Sequence, residues 1–160
     1  MDPDVFRKTV WEEMLYAQMR GNYFAELVRH YLRWDKGLRV LALLASSGAI
    51  ATVLAQANAD WLKFGVPVAA ALINFWLLLS QYSTMSRDAS ELHAGWSAVA
   101  RDYEKVWNNL SAADAQASYQ QIDDRAESLS IIGAKFPNKK NRLNYWLDQA
   151  TAISMARYAH

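Results

Sequence analysis

Apolar and small residues recur along the first part of the chain at alternating steps of four and three: Val10, Met14, Ala17, Gly21, Phe24, Val28 and Tyr31. That 3.5-residue period is the seam of a coiled coil and predicts a long amphipathic helix. The same rule returns at Leu92, Trp96, Val99, Tyr103, Val106 and Leu110. Between the two seams the polar positions thin out. From Val40 to Ala59 there are 20 consecutive residues without Asp, Glu, Lys, Arg or His, and from Phe64 to Ser86 another 23. About 20 helical residues cross a hydrocarbon core of roughly 30 Å, so each run is long enough to span. Only Asp60-Trp61-Leu62-Lys63 separates them. The pattern predicts a two-span transmembrane hairpin, spans 40–59 and 64–86, whose stems continue outward and pack on each other. Gly21 in one seam and Gly95 beside the other allow close approach of the backbones, against about 1 kcal/mol of helix propensity each.

Two shorter helices are expected to follow. Ser111-Ala112-Ala113-Asp114 resembles an N-terminal cap. Ala115, Tyr119, Ile122, Ala126 and Leu129 make an apolar stripe that Gly133 and Pro137 end. Asn138 is placed to cap a last helix carrying Leu143, Trp146, Ala150 and Ile153. No stretch alternates with period two long enough to suggest a sheet. The expected fold is all-α: residues 1–39 an amphipathic helix, 40–86 the hairpin, and 87–160 a helical region that completes a coiled-coil-like bundle.

Charge placement sets the expected orientation. The 20 residues before the first span hold Arg20, Arg29, Arg33, Lys36 and Arg39, the turn holds Lys63 alone, and Arg87, Arg101 and Lys105 follow the second span. The positive-inside rule puts both termini in the cytoplasm. Tyr31, Trp34, Trp61, Phe64 and Tyr82 fit an interfacial aromatic belt, while Trp76 lies deeper and is expected to pack.

Whole-chain averages hide this. The 160 residues are 52% hydrophobic and 21% charged with a net charge of +1, an ordinary soluble profile. Yet only Asp60 and Lys63 are charged between Val40 and Ser86. A buried hairpin in a soluble helical protein is the competing reading, kept alive by Ser46, Ser47, Thr52, Gln56, Asn58, Asn74, Ser80 and Gln81. The near-zero net charge argues against a general nucleic-acid binder. With no cysteine there is no disulfide, thiolate nucleophile or Cys-based metal site. Glu26 and His30 share a helix face, but a metal site needs more ligands. Asp102 with Glu104 and Asp123 with Asp124 are too close in sequence to face each other. No phosphate loop or nucleophile elbow is present. The expectation is a non-enzyme without cofactor or metal.

Three features invite a functional reading. Asn74, near the middle of the second span, needs a polar partner in hydrocarbon, which points equally to pore lining and to interhelical hydrogen bonding. Thr52, Ser80 and Gln81 join it as candidate polar lining. The small residues Ala45, Ala49 and Val53, beside Ser47 and Ala51 and beside Gly48 and Thr52, permit close helix contact. That contact is either self-association or packing within one hairpin. Lys135, Lys139, Lys140 and Arg142 around Pro137 form a basic cluster suited to anionic lipid, a phosphorylated ligand or nucleic acid, or simply a solvated loop.

The whole arrangement resembles the SLATT proteins, two-transmembrane effectors of prokaryotic conflict systems. The resemblance rests on the aromatic, Arg-rich helix from Tyr23-Phe24 to Asp35-Lys36, the hairpin with its tiny turn, and the segment Arg87-Asp88-Ala89-Ser90-Glu91-Leu92-His93 continuing through Trp96 and Tyr103. It covers about residues 10–130, in architecture and scattered aromatic and basic positions. It implies an oligomeric pore in the bacterial inner membrane, antiphage effector action, and control by a nucleotide second messenger or a separate sensor protein. The alternative is a non-pore anchor or scaffold whose cytoplasmic helices bind a partner protein.

Overall fold

The computed structural model describes residues 2–46, 65, 68–69, 71–72, 74–76 and 81–158, and, within these, the side chains of all but residues 45 and 46. Among the described residues the chain is helical with no strand. We label the helices α1 (Pro3–Ser46), α2 (Tyr82–Asn108), α3 (Ala115–Gly133) and α4 (Lys140–Tyr158). Residues 65, 68–69, 71–72 and 74–76 are helical as well. Two compact units result, one formed by Met1–Leu27 with Asp88–His160, the other by Val28–Arg87.

The first turn of α1 follows from its opening residues. Asp2 Oδ1 accepts the Asp4 backbone N–H at 3.1 Å, and Pro3 takes the first helical position, where a missing N–H costs nothing. In the first unit, α1 and α2 then run antiparallel along the two seams. Val10, Met14, Ala17, Phe24, Leu92, Trp96, Val99, Tyr103 and Val106 are all buried. Tyr16 meets Trp96 edge to face at 5.9 Å, and Trp11 meets Trp107 at 5.0 Å. Burying a side chain such as Phe24 contributes about 1.5–3 kcal/mol, so the large side chains of this seam contribute strongly to the unit's stability.

The two shorter helices pack on opposite flanks of that pair. On α1, α3 reaches Phe6 through Tyr119 and Phe24 through Gly133, whereas α4 reaches Trp11, Gln18 and Glu26. At about 100° per residue these sets lie on different faces of α1. On α2, Arg125 of α3 pairs with Asp102, and Arg157 of α4 pairs with Glu104. Ala115, Ile122 and Ala126 form the buried stripe of α3, with Tyr119 and Leu129 half-buried, as the sequence pattern predicts. The segment 134–139 is a strap that carries the chain from one flank to the other.

Local details correct several expectations. The cap of α3 is Asp114, whose side chain makes no capping bond, and the expected cap residue Ser111 lies back in the turn that follows Asn109. Gly133 does end α3, but not through a left-handed backbone, since no glycine among the described residues has positive φ. It is glycine because an added Cβ would meet Phe24 Cζ at 3.2 Å. Gly95 faces α3 rather than the α1 seam, with Leu129 Cδ2 at 2.7 Å from a hypothetical Cβ. The buried positions of α4 are Ala150 and Ser154 rather than Ile153, which is exposed. Its first turn closes on the Lys139 carbonyl, one residue past the expected cap Asn138.

In the second unit, Tyr31 and Tyr82 approach at 6.3 Å and Arg39 pairs with Asp35 at 3.1 Å. Gln81 has φ 44, the one left-handed non-glycine among the described residues, and its carbonyl accepts the Met85 N–H. The predicted second span therefore does not run into α2 as unbroken helix. Trp76, expected to pack, is exposed in the single chain. Among the described residues no helix is long and apolar enough to cross a membrane.

Candidate functional site

Of the residues with predicted roles, Thr52, Ser80, Ser47, Gly48 and Ala51 lie outside the described residues. Asn74 is helical with an exposed side chain, next to exposed Phe75 and Trp76. Gln81 is exposed at the start of α2. Among the described residues of this unit, large apolar side chains stand exposed, including Val40 and Leu41 on α1 and Val68, Leu72, Phe75 and Trp76 beyond it.

The basic cluster divides into two pairs. Lys135 Nζ reaches Asp88 Oδ2 at 2.5 Å and Arg142 reaches Glu26 Oε1 at 3.4 Å, so these two charges tie the strap and the start of α4 to α2 and α1. Tyr23 donates from its hydroxyl to the Pro137 carbonyl, and Phe24 packs against Phe136 at 5.6 Å. Lys139 and Lys140 are exposed and have no ion-pair partner among the described residues. Sequence spacing groups these four residues, but only the fold separates the anchoring pair from the open pair.

Glu26 and His30 do not act together. Glu26 Oε2 accepts the Trp146 indole N–H at 2.7 Å, and its other oxygen holds Arg142. His30 stacks edge-on against Tyr31 and Trp34. His93 instead works at the crossing of α1 and α2, where its Nδ1 lies 2.8 Å from the Gly21 carbonyl. A carbonyl only accepts, so that nitrogen carries the proton. These are structural roles, and among the described residues no group of three or more His, Asp or Glu side chains is placed to hold a metal ion.

Two clusters escaped the sequence reading. On the α3 flank, Tyr103 donates to Asp123 Oδ1 at 3.4 Å and stacks on Tyr119 at 5.7 Å. Burial, then the Asp123 charge, push the Tyr103 and Tyr119 phenols up, and burial with Asp123 and Glu12 nearby raises the Glu13 carboxyl. On the α4 flank, Trp11, Trp107 and Tyr158 pack as a trio, with centroids 5.0, 5.8 and 6.2 Å apart. They border a cleft that Arg7, Lys8 and Met155 also line, and the Arg7 guanidinium sits 5.1 Å over the Trp107 ring. The Trp96 indole N–H is buried and has no hydrogen-bond partner among the described residues. The aromatic trio draws on three helix ends more than 40 residues apart in sequence, so no local signal announces it.

Comparison with protein-family models, with characterised proteins and with solved structures yields no match.

Proposed function

We propose that this chain is an oligomeric, pore-forming membrane effector of a bacterial antiphage system, with residues 40–86 as its membrane hairpin and the four-helix unit as its cytoplasmic control module. One observation carries the reading. Charge is nearly absent from Val40 to Ser86, and the described apolar side chains there, Val40, Leu41, Val68, Leu72, Phe75 and Trp76, are left exposed by the single chain. Water penalises that exposure at about 25 cal/mol per Å² of apolar surface, whereas lipid or a neighbouring copy removes the penalty. A single two-helix hairpin cannot enclose a channel or satisfy Asn74 in hydrocarbon, so self-association belongs to the proposal. Asn74 and Gln81, with Thr52 and Ser80, supply polar lining, and Ser47, Gly48 and Ala51 supply helix contact. The resemblance to SLATT effectors supports the assignment to phage defence, with a second messenger or sensor protein as the trigger.

Detergent-solubilised chain and planar-bilayer conductance test this together. The proposal expects rings of four or more copies and a conductance that Asn74→Leu reduces. Monomers or simple dimers without conductance overturn it in favour of a membrane anchor that holds a partner protein.

A further inference from the structure

From Ser128 to Leu147 the chain carries four basic residues and no acidic one. Asp88 and Glu26 neutralise Lys135 and Arg142, leaving Lys139 and Lys140 uncompensated at the first turn of α4. Positive charge at a helix N-terminus opposes the helix dipole, so their placement does not serve the helix. Immediately before the strap, Ile131 and Ile132 are 70% and 53% exposed. Two adjacent open isoleucines followed by unpaired lysines combine the two attractions that hold a segment at a lipid interface, apolar insertion and headgroup charge. Lys135 is fixed to Asp88, which stands two residues past Ser86, the last residue of the apolar run.

We infer that the α3–α4 strap is a membrane-surface contact, in which Ile131 and Ile132 dip into the interface while Lys139 and Lys140 bind anionic lipid headgroups. The inference rests on the membrane-hairpin reading above. It makes the strap sensitive to lipid charge, and because Lys135, Pro137 and Arg142 hold it to α2 and α1, headgroup binding loads those helices directly.

The chain has no cysteine, so single labels can be placed without background. Full-length Ile132→Cys and Val68→Cys, each carrying an environment-sensitive fluorophore, are reconstituted in vesicles of phosphatidylcholine alone or mixed with phosphatidylglycerol. The Ile132 label is expected to brighten and shift to the blue only with phosphatidylglycerol. Each open lysine contributes about fivefold to surface partition, so Lys139→Gln with Lys140→Gln is expected to lower the bound-to-released ratio about thirtyfold. A Val68 label in lipid with an Ile132 label in water in both vesicle types overturns the strap contact alone. So does an Ile132 signal that follows protein-to-lipid ratio in neutral vesicles, which marks a second copy as the occupant. A Val68 label that stays in water overturns the membrane reading and this inference with it.

Discussion

His93 donates from Nδ1 to the Gly21 carbonyl, 2.8 Å away, where α1 and α2 cross. A Cβ on Gly21 would stand 3.3 Å from Ser97 Oγ and 3.8 Å from Trp96 Cβ. The crossing is close because residue 21 has no side chain. Ser97 Oγ can rotate, so Gly21→Ala is expected to stay within about 1 kcal/mol of the parent, its helix-propensity gain offsetting the contact. Gly21→Leu overpacks the seam and is expected to lose about 1–3 kcal/mol. Thermal unfolding followed by circular dichroism compares the two.

Gly95 and Gly133 give a sharper contrast. The nominal clash is worse at Gly95, 2.7 Å to Leu129 Cδ2, but that atom ends a flexible, half-buried side chain. At Gly133 the contact is 3.2 Å to Phe24 Cζ, and Phe24 is only 1% exposed. A packed ring has nowhere to move. Gly133→Ala is therefore expected to lower the melting temperature, while Gly95→Ala leaves it unchanged or raises it. The reverse order contradicts this packing.

Glu26 is the polar anchor of α4, accepting from Trp146 and pairing with Arg142. Glu26→Ala leaves the Trp146 N–H unpaired in a half-buried contact, an expected cost of about 1.5–3 kcal/mol. The loss should be local. Limited proteolysis is expected to cut within Lys140–Tyr158 faster in the variant, with α1, α2 and α3 protected as before.

Acid acts in opposite directions on two carboxylates. Burial, Asp123 and Glu12 raise the folded Glu13 above its ordinary 4.5, so its ionised form costs stability. That contribution is most favourable below 4.5 and is lost as pH rises through the folded value. Glu13→Gln should stabilise the protein at neutral pH, with the gain vanishing below 4.5. The hydrogen bond from Lys105, with Arg125 alongside, holds Asp102 below its ordinary 3.8. Its contribution is present above 3.8 and lost as pH falls through the lower folded value. Asp102→Asn should destabilise at neutral pH and match the parent at strongly acid pH. Melting temperatures against pH for both variants check the signs.

The seam from Val10 to Phe24 against Leu92 to Val106 was legible because one 3.5-residue row faces one partner helix. Leu15, Met19, Tyr23 and Leu27 are buried too, yet lie outside that row. They escape because α1 is covered on several sides, and the covering elements come from more than 100 residues later. Ser154 shows the limit of hydrophobic pattern differently. It is buried at 3% exposure because its hydroxyl donates to Gln18 Oε1 at 3.2 Å, a polar pair that takes the place expected for Ile153. The basic cluster was visible as composition, but its division into anchored and open charges depends on Asp88 and Glu26, which only the fold brings to it.

A hairpin that crosses the membrane with both ends on the cytoplasmic side puts residue 63 outside the cell and residue 116 inside it. Lys63→Cys and Gln116→Cys, each a unique thiol in this cysteine-free chain, are exposed to a membrane-impermeant maleimide in intact cells and after lysis. Labelling of Lys63→Cys from outside intact cells is expected, and of Gln116→Cys only once the cells are opened. Labelling of both only after lysis would contradict the hairpin.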